Sequence, residues 1–374
     1  MQIRDSMAYD EDKSIRISDK YDKLPFFEVY PHRFFNQTTI IYGAPKTGKS
    51  TIIDAILYAL RKNIPGIVVI SPTDSTNSAY SKRVPPGCVH SQITKELLEK
   101  IITRQRKNMK IHEITNNLEY LTALFAKINV DKKLKILEQD LIRVANEHII
   151  KTRQSSAEFP IVKSTIESIK HACEDKLRHI YKLGIRNGAK FESELNKREK
   201  CIVRYLDHNP YLFLIMDDCA SQLRKLSKAP ELLELFTTVR WLGLTIVIAA
   251  HNDTNLDPQI RNNSFNSIFT DEESVGVFFG RSTGTSGLTK EKKNKARDIA
   301  SILFREEGGG RNHKKLVFTK ERLKTGDSKW SQFHYAYVNL HDNFIVGSPH
   351  LWNLCETSAD KEAESLLFDQ LKIV

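Results

Sequence analysis

Three short stretches of this chain carry residues whose types and spacing suit chemistry on phosphate. The first is Gly43-Ala44-Pro45-Lys46-Thr47-Gly48-Lys49-Ser50, followed by Thr51. In a G-x-x-x-x-G-K-S pattern the glycines let the backbone curl, so that successive N–H groups face one anion. A helix starting at the end of the loop presents its positive end to the same anion. Lys49 then supplies a mobile charge to the β- and γ-phosphates of a nucleoside triphosphate, and Ser50 a hydroxyl ligand for Mg²⁺. The expected ligands are ATP and Mg²⁺, cradled by Gly43, Ala44, Pro45, Lys46, Thr47, Gly48, Lys49, Ser50 and Thr51. A glycine turn with no ligand is the competing account, but it supplies no packing reason for Lys49 and Ser50.

The second stretch, Leu212-Phe213-Leu214-Ile215-Met216-Asp217-Asp218, is an apolar run ending in two carboxylates. Asp217 is placed to hold Mg²⁺, through water. Asp218, one residue on, can orient or deprotonate an attacking water. A helix cap or a turn would also use such a pair. The third stretch ends Ala249-Ala250-His251-Asn252. A polar residue there could sense the γ-phosphate, and His251 and Asn252 are equal candidates, with a surface turn as the alternative. Ring-forming ATPases complete such sites with an arginine from a neighbour. Arg261, within Leu256–Asn263, and Arg240 are the candidates for that finger.

These residues need elements to position them. Continuous rather than alternating apolar runs mark strands of a parallel sheet covered on both faces. Such runs occur at Thr38–Tyr42, Ile67–Ile70, Tyr211–Met216, Thr245–Ala250 and Ser267–Thr270. Helical patterns are expected over Lys49–Lys62 and Pro230–Leu242. Together they predict an α/β fold, a RecA-like P-loop core with a mainly parallel sheet. Between its two parts, 92–205 is almost free of glycine and proline and has apolar residues at helical spacing, such as Ile142, Ala145, Ile149 and Ile150. It reads as a long helical insertion. A small C-terminal α+β part is expected after 280. It comprises a charged helix around Lys290–Lys295, two short strands at Phe333–Val338 and Phe344–Val346 turning at 341–343, and a last helix over Asp360–Leu371. The expected divisions are 1–33, a polar N-terminal extension; 34–91, the first part of the core; 92–205, the insertion; 206–280, the rest of the core; and 281–374.

The net charge is +11, and the insertion holds 24 lysines and arginines against 15 acidic residues, so most of the excess lies there. A basic balance favours nucleic acid or another polyanion, although solvated helix faces would also account for it. Flexible glycines followed by cations at Gly308–Lys315 offer Arg311, Lys314 and Lys315 as DNA contacts, or form a surface loop. Apolar residues at 40% and charged ones at 28% fit a globular chain and exclude wholesale disorder. No apolar run approaches the ~18 residues of a membrane span. The N-terminal stretch lacks the apolar segment of a secretory signal. Five cysteines without a C-x-x-C pair point to neither a disulfide framework nor a zinc site, and to a reducing compartment.

The loop GAPKTGKST, the strand LFLIMDDCAS and the block FTTVRWLGLTIVIAAHNDTNLDPQIRNNSFNSIF together resemble the genome-packaging ATPases of large double-stranded DNA viruses. These are the poxvirus-like group of the FtsK–HerA superfamily. The resemblance covers about residues 34–73 and 205–280. It implies a RecA-like core in a homo-oligomeric ring that drives double-stranded DNA into a capsid, with a capsid or portal component as partner. The setting it implies is the assembly site in host cytoplasm or the virion. It implies Lys49 and Ser50 for nucleotide and Mg²⁺, Asp217 for Mg²⁺, Asp218 as catalytic carboxylate and Arg261 as the finger acting in trans. Many superfamily members end the sensor strand in glutamine, where this chain has His251-Asn252. Two other functions remain compatible with the residues: a P-loop nucleotide kinase, and a DNA-binding protein switched by ATP without translocation.

Overall fold

The computed structural model describes residues 14–15, 24–155, 158–188, 194–251, 256–280, 288–305, 314–320, 332–337, 344–347, 349, 351–353 and 355. The chain divides into two compact units, Met1–Gln105 with Tyr211–Val374, and Arg106–Pro210. The expected last helix, the turn at 341–343 and most of the first 23 residues lie outside the described residues.

The first unit begins with β1 (Ser14–Ile15) and β2 (Leu24–Pro25), an antiparallel pair. It continues through β3 (Thr38–Tyr42), α1 (Lys49–Leu60), β4 (Gly66–Ile70), α2 (Asp74–Asn77), β5 (Val89–His90) and the first half of α3 (Lys95–Asn116). The chain returns to it with β6 (Leu212–Asp217), α8 (Ala220–Lys225), α9 (Pro230–Thr237), β7 (Leu244–Ala250), α10 (Pro258–Asn263) and β8 (Asn266–Phe269). It ends with α11 (Glu272–Gly280), α12 (Lys290–Leu303), β9 (Lys314–Thr319) and β10 (Phe333–Tyr337).

Eight strands form one sheet in the order β10-β9-β8-β3-β7-β6-β4-β5. The six from β8 to β5 are parallel, and β9 and β10 close the other edge antiparallel. The α/β fold read from the apolar runs is the fold observed. Successive side chains of these strands feed two separate cores because strand residues alternate faces. Ile40, Tyr42, Leu214, Met216, Ile246 and Ile248 pack with α9, α11 and α12 on one face. Ile41, Phe213, Ile215, Val247 and Ala249 pack with α1 on the other.

Several local expectations change. The helix expected over Pro230–Leu242 stops at Thr237, and 239–243 turn tightly into β7, with the Leu244 N–H donating to the Val239 carbonyl. The strand expected at Phe344–Val346 does not form. Phe344 and Val346 are buried against the α1 face without ladder pairing, and the partner of β10 is β9, a strand that Gly308–Lys315 read as a loop had hidden. The C-terminal strands are therefore continuous with the central sheet, because the open edge of β8 needs a partner.

The second unit is helical: the end of α3, then α4 (Leu118–Lys127), α5 (Lys132–Arg153), α6 (Phe159–Asn187) and α7 (Lys197–Arg204). With little glycine or proline, three of the helix starts are made by side-chain caps, while α6 opens on Pro160 and closes at Gly188. Asn117, Asp131 and Asn196 each accept backbone N–H groups at the start of α4, α5 and α7. Leu121, Leu124, Phe125, Ile180, Tyr181 and Ile202 form its core. No residue of α5 is fully buried, so its charges are solvated. Among the described residues no helix is long and apolar enough to cross a membrane.

Candidate active site

The loop 43–48 leaves the carboxyl end of β3 and enters α1, the end of a parallel sheet where ligands bind. Its two glycines have separate reasons. Gly43 donates its N–H to the Ala250 carbonyl at 3.2 Å, and a Cβ there would lie 1.7 Å from Thr270 Oγ1. Gly48 has φ +94°, a conformation that side-chain-bearing residues rarely adopt. Lys46 also has positive φ, at 65°. The Thr47 hydroxyl donates to the Ala44 carbonyl at 2.8 Å and meets the Thr270 hydroxyl. The Ala44 N–H donates to Asp271 Oδ2 at 2.7 Å, while Asp271 Oδ1 accepts the Ser274 N–H in the first turn of α11.

Lys49 is buried beneath this loop. Its Nζ donates to the carbonyls of Gly43 at 2.7 Å and Ala44 at 2.9 Å, and lies 3.4 Å from His251 Nδ1. Burial lowers its pKa, and the carboxylates of Asp218, Asp217 and Asp271 oppose that shift. Strand order decides the rest. Because β7 lies between β3 and β6, His251 at its end stands between the lysine and the carboxylates. Its Nε2 is 3.3 Å from Asp218 Oδ1, so one imidazole bridges Lys49 and Asp218. Asn252 lies outside the described residues.

Asp217 ends β6 and is buried. Burial raises its pKa and the adjacent Asp218 adds to the rise, while a hydrogen bond from Tyr80 opposes both. The Tyr80 hydroxyl donates to Asp217 Oδ2 at 2.9 Å, and Tyr80 is itself fixed by its N–H donating to Asp74 Oδ1 at 2.6 Å. Cys219 Sγ lies 3.1 Å from the carbonyls of both Ile70 and Asp217, and its one S–H is shared between them in the turn after the strand. Within that turn Asp218 has φ +53°, a strained conformation for a non-glycine residue that structure retains where a side chain must be aimed.

Two carboxylates side by side, one of them buried, favour a cation between protein and ligand. Ser50, exposed at the start of α1, and Asp217, at the end of β6, would offer a sparse oxygen set. That set suits Mg²⁺, which keeps water and substrate phosphates as its other ligands. It does not suit a metal that needs a full protein cage, and no group of three or more His, Cys, Asp and Glu able to hold a metal occurs among the described residues. A cavity of about 800 Å³ opens beside Asp218 and His251, and Thr73, Ser221, Arg224 and Lys225 also line it.

The two arginine candidates lie elsewhere. Arg240 precedes β7 and Arg261 precedes β8, and the parallel registers Tyr42↔Ala250 and Tyr42↔Phe269 put both at the end of the sheet opposite the loop. The DNA contacts also change. Arg311 lies outside the described residues, and Lys314 is half-buried at the start of β9. Lys315 is no surface contact: it is 5% exposed and its Nζ donates to the Thr47 carbonyl at 2.8 Å. Strand alternation turned it inward, toward the loop.

Sequence reasoning passed over Tyr80, Thr270 and Asp271. Thr270-Asp271 follows an apolar strand as Asp217-Asp218 does, a signal that could have found it. Tyr80 gives no local signal, since its partner lies 137 residues away.

No family model matches the chain. The uncharacterised protein B354L of African swine fever virus (isolate Warthog/Namibia/Wart80/1980) is 27% identical over 358 residues, 91% of this chain and 92% of the viral protein. Uncharacterised protein 075L of Invertebrate iridescent virus 6 is 25% identical over 151 residues, covering 38% of this chain and 57% of that one. Among solved structures, the genome packaging NTPase B204 from Sulfolobus turreted icosahedral virus 2 in complex with ATP-gammaS is 12% identical, with TM-score 0.32. It covers 78% of this chain and 93% of its own. The pCW3 conjugation coupling protein TcpA is 13% identical with TM-score 0.37, covering 88% and 72%. Overlaps this low carry no residue roles across.

Proposed function

We propose that this chain is an ATP-hydrolysing motor that moves double-stranded DNA, in the manner of a viral genome-packaging ATPase. The observation that carries the reading is the convergence of Lys49, His251 and Asp218 at one end of β3, β7 and β6, with both arginine candidates at the other end. Gly43 to Thr51 hold the phosphates of ATP, and Lys49 exchanges its loop carbonyls for phosphate oxygens. Asp218 orients or deprotonates the attacking water, and His251 reports phosphate occupancy by standing between it and Lys49. Ser50 and Asp217 would hold Mg²⁺, which would supply neutralisation of phosphate charge. Arg261, or failing it Arg240, serves the site of a neighbouring copy, since its own site lies at the far end of the sheet. That placement supports a homo-oligomeric ring, in which one copy's arginine end meets the next copy's phosphate loop.

The positive excess of the helical unit supports a grip on phosphates without base reading. Arg311 and Lys314 are the proposed DNA contacts, whereas Lys315 is buried against the loop. Similarity to viral proteins fits a role in virus assembly in host cytoplasm, with a capsid or portal component as partner. The test is the ATPase rate with and without double-stranded DNA. Stimulation supports the motor, and DNA binding with slow, unstimulated turnover identifies an ATP-switched binder instead.

The cavity beside Asp218, with Arg224 and Lys225 on its wall, favours one other reading, a nucleotide kinase whose acceptor enters there. Transfer of the γ-phosphate to a small acceptor, in place of phosphate release, would establish it.

A further inference from the structure

Lys315 has a buried head group against the phosphate-binding loop and no part in the site as described so far. It is the second residue of β9, on the face shared with Val317 and α1, whereas Leu316 and Phe318 face the other core. Among the described residues its hydrogen-bond partner is a neutral carbonyl, that of Thr47. A buried ammonium is costly without a compensating anion. Burial lowers its pKa, and the Asp271 carboxylate offsets this in part. A Cβ built on Gly48 would lie 3.4 Å from Lys315 Nζ and 4.0 Å from Thr51 Oγ1, so the ammonium and that hydroxyl flank one bare Cα of the loop.

The sheet order gives this position a meaning. Asp217 and Asp218 lie on the β7–β6 side of the loop, and Lys315 on the β8–β9 side. The phosphate to be cleaved belongs beside Asp218. The opposite side is left for the nucleoside and the phosphate attached to it. We propose that Lys315 is a second phosphate-binding cation of the site, taking the α-phosphate of the nucleotide. Lys49 serves the terminal phosphates, and Lys315 the phosphate that ATP and ADP share. The inference rests on the ATP-site reading above.

Calorimetric titration of ATP and ADP into the full chain tests it, with thermal melting as the folding control. Lys315→Gln keeps a donor for the Thr47 carbonyl and removes the charge. It is expected to weaken ATP and ADP by similar factors of about tenfold or more, the worth of a charged hydrogen bond. KM for ATP should rise more than kcat falls, and Lys315→Arg should recover most of the affinity. Wild-type affinity for both nucleotides in a folded Lys315→Gln chain overturns the proposal and leaves a structural tether. A loss confined to ATP overturns it too, since the contact would then be to the γ-phosphate. If Lys315→Gln does not fold, Lys315→Arg carries the test. It is expected to alter the ratio of affinities for α-thio-ATP and ATP while leaving the ratio for γ-thio-ATP and ATP unchanged. An unaltered α-thio ratio overturns the proposal. A wild-type chain that binds neither nucleotide refutes the ATP site itself, a failure distinguishable from that of Lys315.

Discussion

Replacing Gly43 by alanine puts a carbon into space that Thr270 already fills. The new Cβ would lie 1.7 Å from Thr270 Oγ1, 2.8 Å from Thr47 Oγ1 and 2.9 Å from Asp271 Oδ2. Uncharged contacts relax at about 3.5 Å, so the first overlap is severe. Thr270 cannot swing aside freely, because it is 4% exposed and its hydroxyl donates to the Tyr42 carbonyl at 3.2 Å. Overpacking of this kind costs about 1–3 kcal/mol, a fall in Tm of roughly 1–5 °C for a chain of this size. ATP binding should weaken by at least about tenfold, since the loop backbone that receives phosphate is displaced. Thr270→Ala alone removes one hydroxyl and should cost about 1 kcal/mol. The Tyr42 carbonyl still accepts the Thr270 N–H at 2.9 Å in that variant. The double variant Gly43→Ala/Thr270→Ala removes the worst of the three overlaps, so the two losses should couple favourably by about 1–2 kcal/mol and part of the ATP affinity should return. Melting curves and ATP titrations of the four proteins measure this cycle. Losses that add to within about 0.5 kcal/mol would refute the steric account of Gly43.

Asp218→Asn should retain Mg-ATP binding and lose hydrolysis by about a hundredfold or more, and near wild-type turnover would sink its assignment as the catalytic carboxylate. Mixing Arg261→Ala subunits with Lys49→Ala subunits should restore some ATPase activity if the finger acts in trans, and no recovery at any ratio counts against Arg261. Burial pushes the His334 imidazole down from 6.5 to about 4, so the folded chain keeps it neutral while the unfolded chain takes a proton. Its contribution to stability is complete above pH 6.5 and is lost progressively as pH falls toward 4, by up to about 3 kcal/mol. His334→Phe should flatten the acid limb of stability against pH over that window, and an unchanged slope would contradict the assignment.

The chemistry of the loop was legible in the order of the residues because it depends on local geometry. Gly43 through Ser50 between an apolar run and a helical pattern is enough to make a phosphate cradle, since its donors are consecutive backbone N–H groups. The apolar runs also determined the parallel core, because burial on both faces leaves no polar alternation. Asp217 and Asp218 followed from their place at the end of such a run. Tertiary structure decided which groups meet across long separations. Tyr80 reaches Asp217 because β4 pairs with β6 in parallel. Asp271 reaches Ala44 because β8 pairs with β3. His251 stands between Lys49 and Asp218 because β7 is inserted between their strands. Lys315 shows the limit most clearly. Beside glycines and Arg311 its type suggested a mobile surface, yet the pairing of β9 with β8 and the alternation of the strand turn its ammonium into the nucleotide loop. Residue type supplies a charge, and only the register of the sheet decides which face that charge serves.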